Sequence, residues 1–218
     1  MTIRQLPRSL SLISLFILAM IIMVQPASAA APATLQYGST SGDVMDLQYR
    51  LKTLGYFDAT LTLYYGSVTQ DAVIRFQHDY GLAKDGVAGP ATHAALHKSS
   101  VNQAELDMLA KIIYSEARGE PYKGQVAVGA VVMNRLADAN FPDTVKGVIM
   151  QPRAFTAVDD GQYNLTPDST AYRAALDAVA GYDPTNGAIY YFNPETATSK
   201  WIWSRKQTGK IGRHIFAV

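Results

Sequence analysis
The stretch that most constrains this chain is LDMLAKIIYSEARGE, residues 106–120. Leu106, Leu109, Ala110, Ile113 and Ala117 recur at spacings of three and four, which predicts a helix with one apolar face. Asn102 followed by Glu105 supplies an N-cap with the reciprocal carboxylate of a capping box. Gly119 and Pro121 end the helix directly afterwards. Any fold must bury that face, yet Glu116 lies on it, in the last turn, where a cleft can open. A carboxyl group there is withdrawn from water and close to the negative end of the helix dipole. Both effects favour the protonated form and give the environment of a general acid. An ion pair with Arg118 or Lys111 would give the same residue a structural role, and periodicity leaves both readings open.

With 218 residues, the chain has room for one medium domain or two small ones. Aromatic residues make up 10% and charged residues 17%, a globular composition rather than a disordered one. The first residues read as a leader. Arg4 and Arg8 flank an apolar run, 10–24, that is short for a bilayer span, and Ala27-Ser28-Ala29 forms an A-x-A cleavage site. Residues 1–29 are therefore expected to be a signal peptide, with a retained N-terminal anchor as the alternative. Without Arg4 and Arg8, the 19 basic and 18 acidic residues become 17 and 18, so no global field attracts nucleic acid. The chain has no cysteine, which rules out disulfides, a Cys nucleophile and a Cys-ligated metal.

Residues 30–37 are a short linker, and 38–97 read as three short helices around one small core. Val44, Leu47, Leu51 and Leu54 give the first helix, ended by Gly55. Thr69 caps the second, with Ala72, Val73 and Phe76 facing inward. Asp85-Gly86 and Gly89-Pro90 are turns before a last helix over 92–96. Residues 97–101 form a polar joint, and a second domain spans 102–218. Its QVAVGAVVM stretch, 125–133, is apolar on every side, as a buried helix is, and Ala127, Gly129 and Ala130 let a neighbouring helix approach closely. Asn134 and Arg135 emerge at its end, read as structural caps ahead of substrate contacts. A short helix runs from Phe141 to Ile149, and a polar, aromatic loop carries Phe155, Thr156, Asp159 and Asp160. Another helix follows over 168–180. Residues 189–192 and 214–218 are strand-like, and Trp201-Ile-Trp203 reads as an extended segment with both tryptophans on one side. The expected class is mainly α, α+β in the second domain, with a small sheet near the C-terminus.

Chemistry narrows by elimination. Of four histidines only His214 lies in the second domain, and neither a metal-binding H-E-x-x-H nor a G-x-S-x-G elbow is present. No metal or cofactor is implied. Carboxylates remain, 12 of them beyond Val101, and Glu116 has the best-defined buried, cleft-edge position. Glu120 is its rival, but it lies past Gly119 and reads as an N-cap or ion-pair residue for the next helix. From Thr196 onward there is no acidic residue, while Lys200, Arg205, Lys206, Lys210 and Arg213 join Trp201 and Trp203. Such a surface stacks on sugar rings and suits an anionic polymer; a solvated basic tail with core tryptophans is the alternative.

Two resemblances sharpen this reading. Gly42-Asp-Val, Leu47-Gln48, Leu54-Gly55-Tyr56, Gly66-x-x-Thr69, Phe76-Gln77 and Asp85-Gly86-Val87-x-Gly89-x-x-Thr92 resemble the peptidoglycan-binding domain family. A bare structural three-helix module is the alternative there. Tyr114-Ser-Glu116-Ala-Arg-Gly-Glu120-Pro, Asn134-Arg135, Phe155, Tyr191-Phe-Asn193-Pro, Ala197-Thr-Ser-Lys-Trp201 and Gly212-x-His214-Ile-Phe216 resemble the SleB/CwlJ-type cell-wall hydrolases, the spore cortex-lytic enzymes. The resemblance implies a lysozyme-like α+β fold and glycan cleavage in spore cortex peptidoglycan during germination. It implies lytic transglycosylation between N-acetylmuramic acid and N-acetylglucosamine, with Glu116 as the catalytic residue. Glu120, Asn134, Phe155, Thr156, Asn193 and Trp201 are the supporting or substrate-binding candidates. The expected partner is cortex peptidoglycan, with a protein regulator in the spore, no nucleic acid and no membrane span once the leader is removed. The protein would be secreted across the inner membrane and held at the cortex. A muramidase cutting the same bond and a non-catalytic wall-binding germination protein are the other readings.

Overall fold
The computed structural model describes residues 32–218; the expected signal peptide, 1–29, and the first residues of the linker lie outside them. Three helices form the N-terminal module: α1 (Gly42–Thr53), α2 (Ser67–Asp79) and α3 (Pro90–Ser99). They close around Val44, Leu47, Leu51, Ala72, Val73, Phe76 and Leu96, with Phe57 and Tyr65 from the connecting loop. The apolar spacings thus placed the inward faces correctly. Thr69, however, does not cap α2; Gly66 occupies that position. Thr69 is buried and accepts a hydrogen bond from Gln48 instead, at 2.9 Å.

Helix α4 (Gln103–Ala117) opens with the expected capping box. Asn102 Oδ1 accepts from the Glu105 N–H, and Glu105 Oε2 from the Asn102 N–H, both at 2.9 Å. Glu105 Oε2 also pairs with Arg50 Nη2 of α1 at 2.9 Å. The anticipated polar joint at 97–101 is no such thing. Residues 97–99 complete α3, and Ser100 and Val101 are buried. The Ser100 carbonyl accepts from Arg50 Nη1, which explains why a polar stretch packs instead of spacing the domains apart.

Next come α5 (Tyr122–Ala137), α6 (Val145–Ile149), α7 (Thr156–Asp159), a 3₁₀ turn (Gln162–Asn164) and α8 (Ser169–Val179). Residues 124–132 of α5 are buried on every side, as their composition required, while Tyr122, Lys123 and Ala137 at its ends are exposed. One side meets α4 and α8, and the other meets Ala188 and Phe216 through Ala127 and Val131. Gly129 makes this approach possible: a Cβ there would stand 2.9 Å from both Ala178 Cβ and Ile113 Cδ1. Even alanine at that position forces overpacking, which typically costs about 1–3 kcal/mol.

The helix expected from Phe141 begins only at Val145, capped by Thr144 Oγ1, which accepts from the Gly147 N–H at 3.0 Å. The loop expected around Thr156 contains α7. Strands β1 (Tyr190–Phe192), β2 (Gln207–Ile211) and β3 (His214–Ala217) form an antiparallel sheet ordered β1-β3-β2. β2 escaped sequence reading because Gln-Thr-Gly-Lys-Ile offers little alternation, and its Lys210 suits an exposed edge. Trp201-Ile-Trp203 is not extended: it is the short helix α9 (Lys200–Trp203). Both indoles nevertheless reach one face of β1, Trp201 on Tyr190 and Trp203 on Phe192, with centroids 5.1 and 4.8 Å apart. The chain is mainly helical, with this one small sheet among the described residues.

Candidate active site
Glu116 sits in the last turn of α4 with its side chain half-buried. Oε1 accepts from the Ala157 N–H at 2.7 Å, and Oε2 from the Tyr191 hydroxyl at 2.9 Å. The first donor is an amide of the opening turn of α7, which no intrahelical carbonyl can satisfy. The second comes from β1. Three separate elements therefore converge on one carboxylate. Burial pushes the Tyr191 phenol well above its usual range; the charge and hydrogen bond of Glu116 add to this, and Arg135 opposes it. Tyr191 thus stays a proton-bearing donor wherever the protein is folded near neutrality.

The structural alternative for Glu116 does not materialise. Arg118 donates to the Ser115 carbonyl and to Gln162 Oε1, at 3.2 and 2.8 Å. None of the ion pairs among the described residues includes Glu116 or Lys111. Both groups that hold the carboxylate are uncharged.

Glu120 is used quite differently. Its side chain is 2% exposed, and it pairs with Arg213 Nε at 2.8 Å while accepting from the Arg213 N–H at 2.9 Å. Burial alone would raise its pKa, but these two bonds and the nearby Arg213 charge bring it below the usual carboxylate value. It does not cap α5, whose first turn follows Pro121 and has no side-chain cap. Its partner is the turn between β2 and β3.

The other candidates scatter. Asn134 and Arg135 are not helix caps; they tie α5 to the segment leading into β1. Asn134 Nδ2 donates to Asp183 Oδ2 and the Ala188 carbonyl, both at 3.0 Å, and Arg135 Nε to the Ile189 carbonyl at 2.7 Å. Phe155 is buried beside Tyr191, with centroids 6.4 Å apart, while Thr156 is exposed on the turn that presents the Ala157 amide. Asn193 closes the turn after β1 by accepting from the Glu195 N–H. Trp201 stands 51% exposed on Tyr190, with Arg205 over its ring at 4.9 Å. Asp160 accepts from the Gln162 backbone and side chain, bonds that lower its pKa.

Sequence reading left four members of this neighbourhood out of the site, Arg135 among them as a helix cap. The Ala157 amide carries no side-chain signal at all. Tyr191 lay inside a quoted motif, and strand alternation turning it toward α4 was the available clue. Arg135 is buried with no carboxylate partner among the described residues, its guanidinium 5.0–5.7 Å from the rings of Phe141, Phe155 and Tyr190. Cation–π attraction there offsets part of the cost of burying its charge. His214 lies beside Tyr191, with ring centroids 5.0 Å apart. Cavities of about 390 and 440 Å³ lie instead where the N-terminal helices face the C-terminal domain, one beside Tyr56, Lys98 and Asp183, the other beside Met45, Tyr49 and Asn102. Neither contains Glu116, so cavity size does not single out this carboxylate and its donors. No cluster of metal-ligating side chains occurs among the described residues.

Comparison with known proteins fits this geometry. The Cell Wall Hydrolase family matches residues 119–217, and the putative peptidoglycan binding domain family matches residues 40–96. The spore cortex-lytic enzyme of Bacillus cereus is 42% identical across 95% of each chain. The crystal structure of the catalytic domain of the Bacillus cereus SleB protein is 60% identical, with a TM-score of 0.53 over 55% of this chain and 93% of that one. The catalytic domain of the germination-specific lytic transglycosylase SleB from Bacillus anthracis is 61% identical, with a TM-score of 0.52 over 54% and 97%. With near-complete coverage of that Bacillus cereus relative and both domain families in the same chain, this protein belongs to the spore cortex-lytic enzyme family.

Proposed function
We propose that the protein cleaves the glycan strands of spore cortex peptidoglycan between N-acetylmuramic acid and N-acetylglucosamine, as a lytic transglycosylase with Glu116 as its acid and base. One observation carries this reading. Glu116 is held by two uncharged donors from separate elements, while its rival Glu120 is consumed by Arg213. Glu116 protonates the glycosidic oxygen as the C1–O bond breaks and the N-acetylglucosamine end leaves. The carboxylate then takes the proton of the muramic acid 6-hydroxyl as O6 bonds to C1, leaving a 1,6-anhydro end. Glu116 finishes protonated, as it began, and no water is consumed. This route requires no second carboxylate to attack C1 or place a water. Asn193 and Trp201 belong to the substrate face in this reading, and Phe155 and Thr156 to the wall of the site.

The N-terminal module anchors the enzyme to peptidoglycan, the leader at 1–29 directs secretion across the inner membrane, and a protein regulator restrains activity in the spore. No helix among the described residues is long and apolar enough to cross a membrane.

Mass spectrometry of digested cortex tests the reaction. Anhydro ends are one water lighter than the reducing ends a muramidase leaves, and reducing ends alone would assign hydrolysis, with Asp159 or Asp160 placing the water. Anchoring is tested by pulling down sacculi with the full chain and with residues 102–218. The shorter protein should cut soluble fragments and bind sacculi more weakly, and equal binding would remove the role given to the module.

A further inference from the structure
The mechanism above leaves one titratable group beside Glu116 without a task. His214 is the first residue of β3, half-buried, its ring 5.0 Å from that of Tyr191 and 6.4 Å from that of Phe216. Its Nδ1 is sealed from solvent and has no hydrogen-bond partner. A buried N–H without an acceptor is among the rarer and costlier defects in a folded protein. Imidazolium would place such an N–H there, and so would the Nδ1–H tautomer. The ring therefore meets its surroundings best as a neutral imidazole with the proton on Nε2, the nitrogen that is not sealed. The groups around it are Glu116 on α4, Glu120 just beyond it, Tyr191 on β1, and Arg213 in its own turn. Burial lowers the His214 pKa, Arg213 acts in the same direction, and the two carboxylates oppose them without prevailing.

The placement of this ring is built rather than incidental. The turn before it is clamped by Glu120, which takes both the Arg213 backbone N–H and its guanidinium. Gly212 has φ of +56°, and a Cβ on it would lie 1.9 Å from Glu120 Oε2, so only glycine lets the carboxylate close on the turn. The clamp by Glu120, itself four positions along the chain from Glu116, thus fixes the residue immediately after Arg213.

We propose that His214 contacts the substrate in the Glu116 site, donating from Nε2 to an uncharged sugar oxygen, a hydroxyl or acetamido carbonyl, beside the bond to be cut. Glu120 is its positioning residue. The proposal rests on Glu116 marking the place where glycan is cleaved. A neutral donor suits that position because it binds a sugar oxygen without forming an ion pair that would hold Glu116 in its charged form, which cannot protonate the leaving oxygen.

Three variants of the full chain test this on soluble glycan fragments released from cortex. His214→Phe keeps a ring against Tyr191 and Phe216 but has no donor, and kcat/KM should fall about tenfold, the scale of one hydrogen bond. His214→Gln, whose amide nitrogen can reach the place of Nε2, should recover most of that loss. Glu120→Gln should lower kcat/KM less than His214→Phe does while also lowering Tm. Nitrogen NMR supplies a readout that folding alone would not move. In the Glu116→Gln variant near pH 7.5, His214 should show the neutral Nε2–H form, and adding tri-N-acetylchitotriose should shift Nε2. Wild-type kcat/KM in His214→Phe, no recovery in His214→Gln, or an Nδ1–H tautomer would each overturn the proposal. If His214→Phe does not fold, His214→Gln and the tautomer still decide. Persistent activity in Glu116→Gln would instead remove the catalytic reading, a result independent of the His214 tautomer.

Discussion

The two buried glutamines of the N-terminal module are satisfied within it, whereas the polar groups around Glu116 are not. Gln48, 1% exposed, donates to Thr62 Oγ1, the Tyr64 carbonyl and Thr69 Oγ1, and accepts from the Thr62 N–H. Gln77 repeats the pattern one helix later. It donates to Asp85 Oδ1, the Val87 carbonyl and Thr92 Oγ1, and accepts from the Gly86 N–H. Each amide pins the loop that follows its helix and has nothing left to offer a ligand. In the C-terminal domain, Glu116 accepts only two hydrogen bonds, Arg135 has no carboxylate partner, and His214 has an unbonded ring. Unsatisfied capacity near a surface costs stability, and it survives where a substrate can use it. The Leu-Gln and Phe-Gln pairs that marked the first module therefore report its fold, and any wall contact there belongs to other residues.

The largest effect that could break this contrast is at Glu116. Glu116→Gln keeps the size, and its amide oxygen can accept from the Ala157 N–H while its NH2 donates to the Tyr191 hydroxyl, so the melting temperature should hardly move. Turnover should fall by about 10²–10⁴-fold, the usual worth of general acid–base catalysis. Substantial activity in this variant, with Glu120→Gln stable but dead, would reverse the assignment of the catalytic acid.

Gln77→Ala should do the opposite. It removes four hydrogen bonds and strands the Gly86 N–H, so the module should lose about 2–4 kcal/mol at roughly 1 kcal/mol per bond. Cleavage of soluble fragments should stay near wild type. Urea unfolding followed by far-UV circular dichroism measures the first, and product release the second. A variant that unfolds normally but no longer binds sacculi would make Gln77 a ligand contact and erase the contrast.

How much of this was legible beforehand depended on what kind of group was involved. The α4 capping box and apolar stripe are local, and residues 102–117 encode both; the same holds for the burial of residues 124–132 of α5 on every side. Glu116 could be singled out because a carboxylate on an apolar stripe is an anomaly within one helix. Its partners could not be read. Ala157 contributes a backbone amide, and Tyr191 comes from 75 positions along the chain. Glu120 was open to being a cap or an ion-pair residue, and only the fold brings up Arg213, 93 positions away, to decide it. Residues 200–203 were misread because tryptophans and isoleucine carry strong strand propensity, while the helical turn they form is set by packing on β1.

A smaller effect concerns pH and separates the two regions again. Burial, the leading cause in each case, lowers the pKa of His93 and His97 in the module and of His214 in the C-terminal domain from 6.5. The unfolded chain therefore binds more protons than the folded one once pH drops below about 6.5. Stability is complete above that value and declines below it, toward the lowered folded pKa values. Carboxylates with depressed values, such as Asp85 and Asp183, act at lower pH and leave this window to the histidines. The melting temperature should fall by about 2–4 °C per kcal/mol lost between pH 7.5 and 5.5. His97→Asn should flatten part of that slope. A melting temperature constant across the window would show that these rings are not held neutral by burial.

The smallest expected effect is at Trp201, where the C-terminal domain exposes apolar surface instead of hydrogen-bonding capacity. The ring stands edge-on to Tyr190, carries Arg205 over it, and leaves half its area to solvent. Indole faces stack on sugar rings, and a single exposed aromatic contact is worth roughly 0.5–1.5 kcal/mol. Trp201→Ala should therefore raise KM for glycan fragments about 2–12-fold with kcat nearly unchanged, because the contact is made equally in the bound substrate and in the transition state. Trp203 offers the internal control. Its indole N–H donates to the Ala197 carbonyl at 3.1 Å and its ring packs on Phe192, so Trp203→Ala should lower the melting temperature more than it raises KM. Equal KM changes in the two variants would mean that the pair only supports β1, and that sugar binding along this edge relies on other groups.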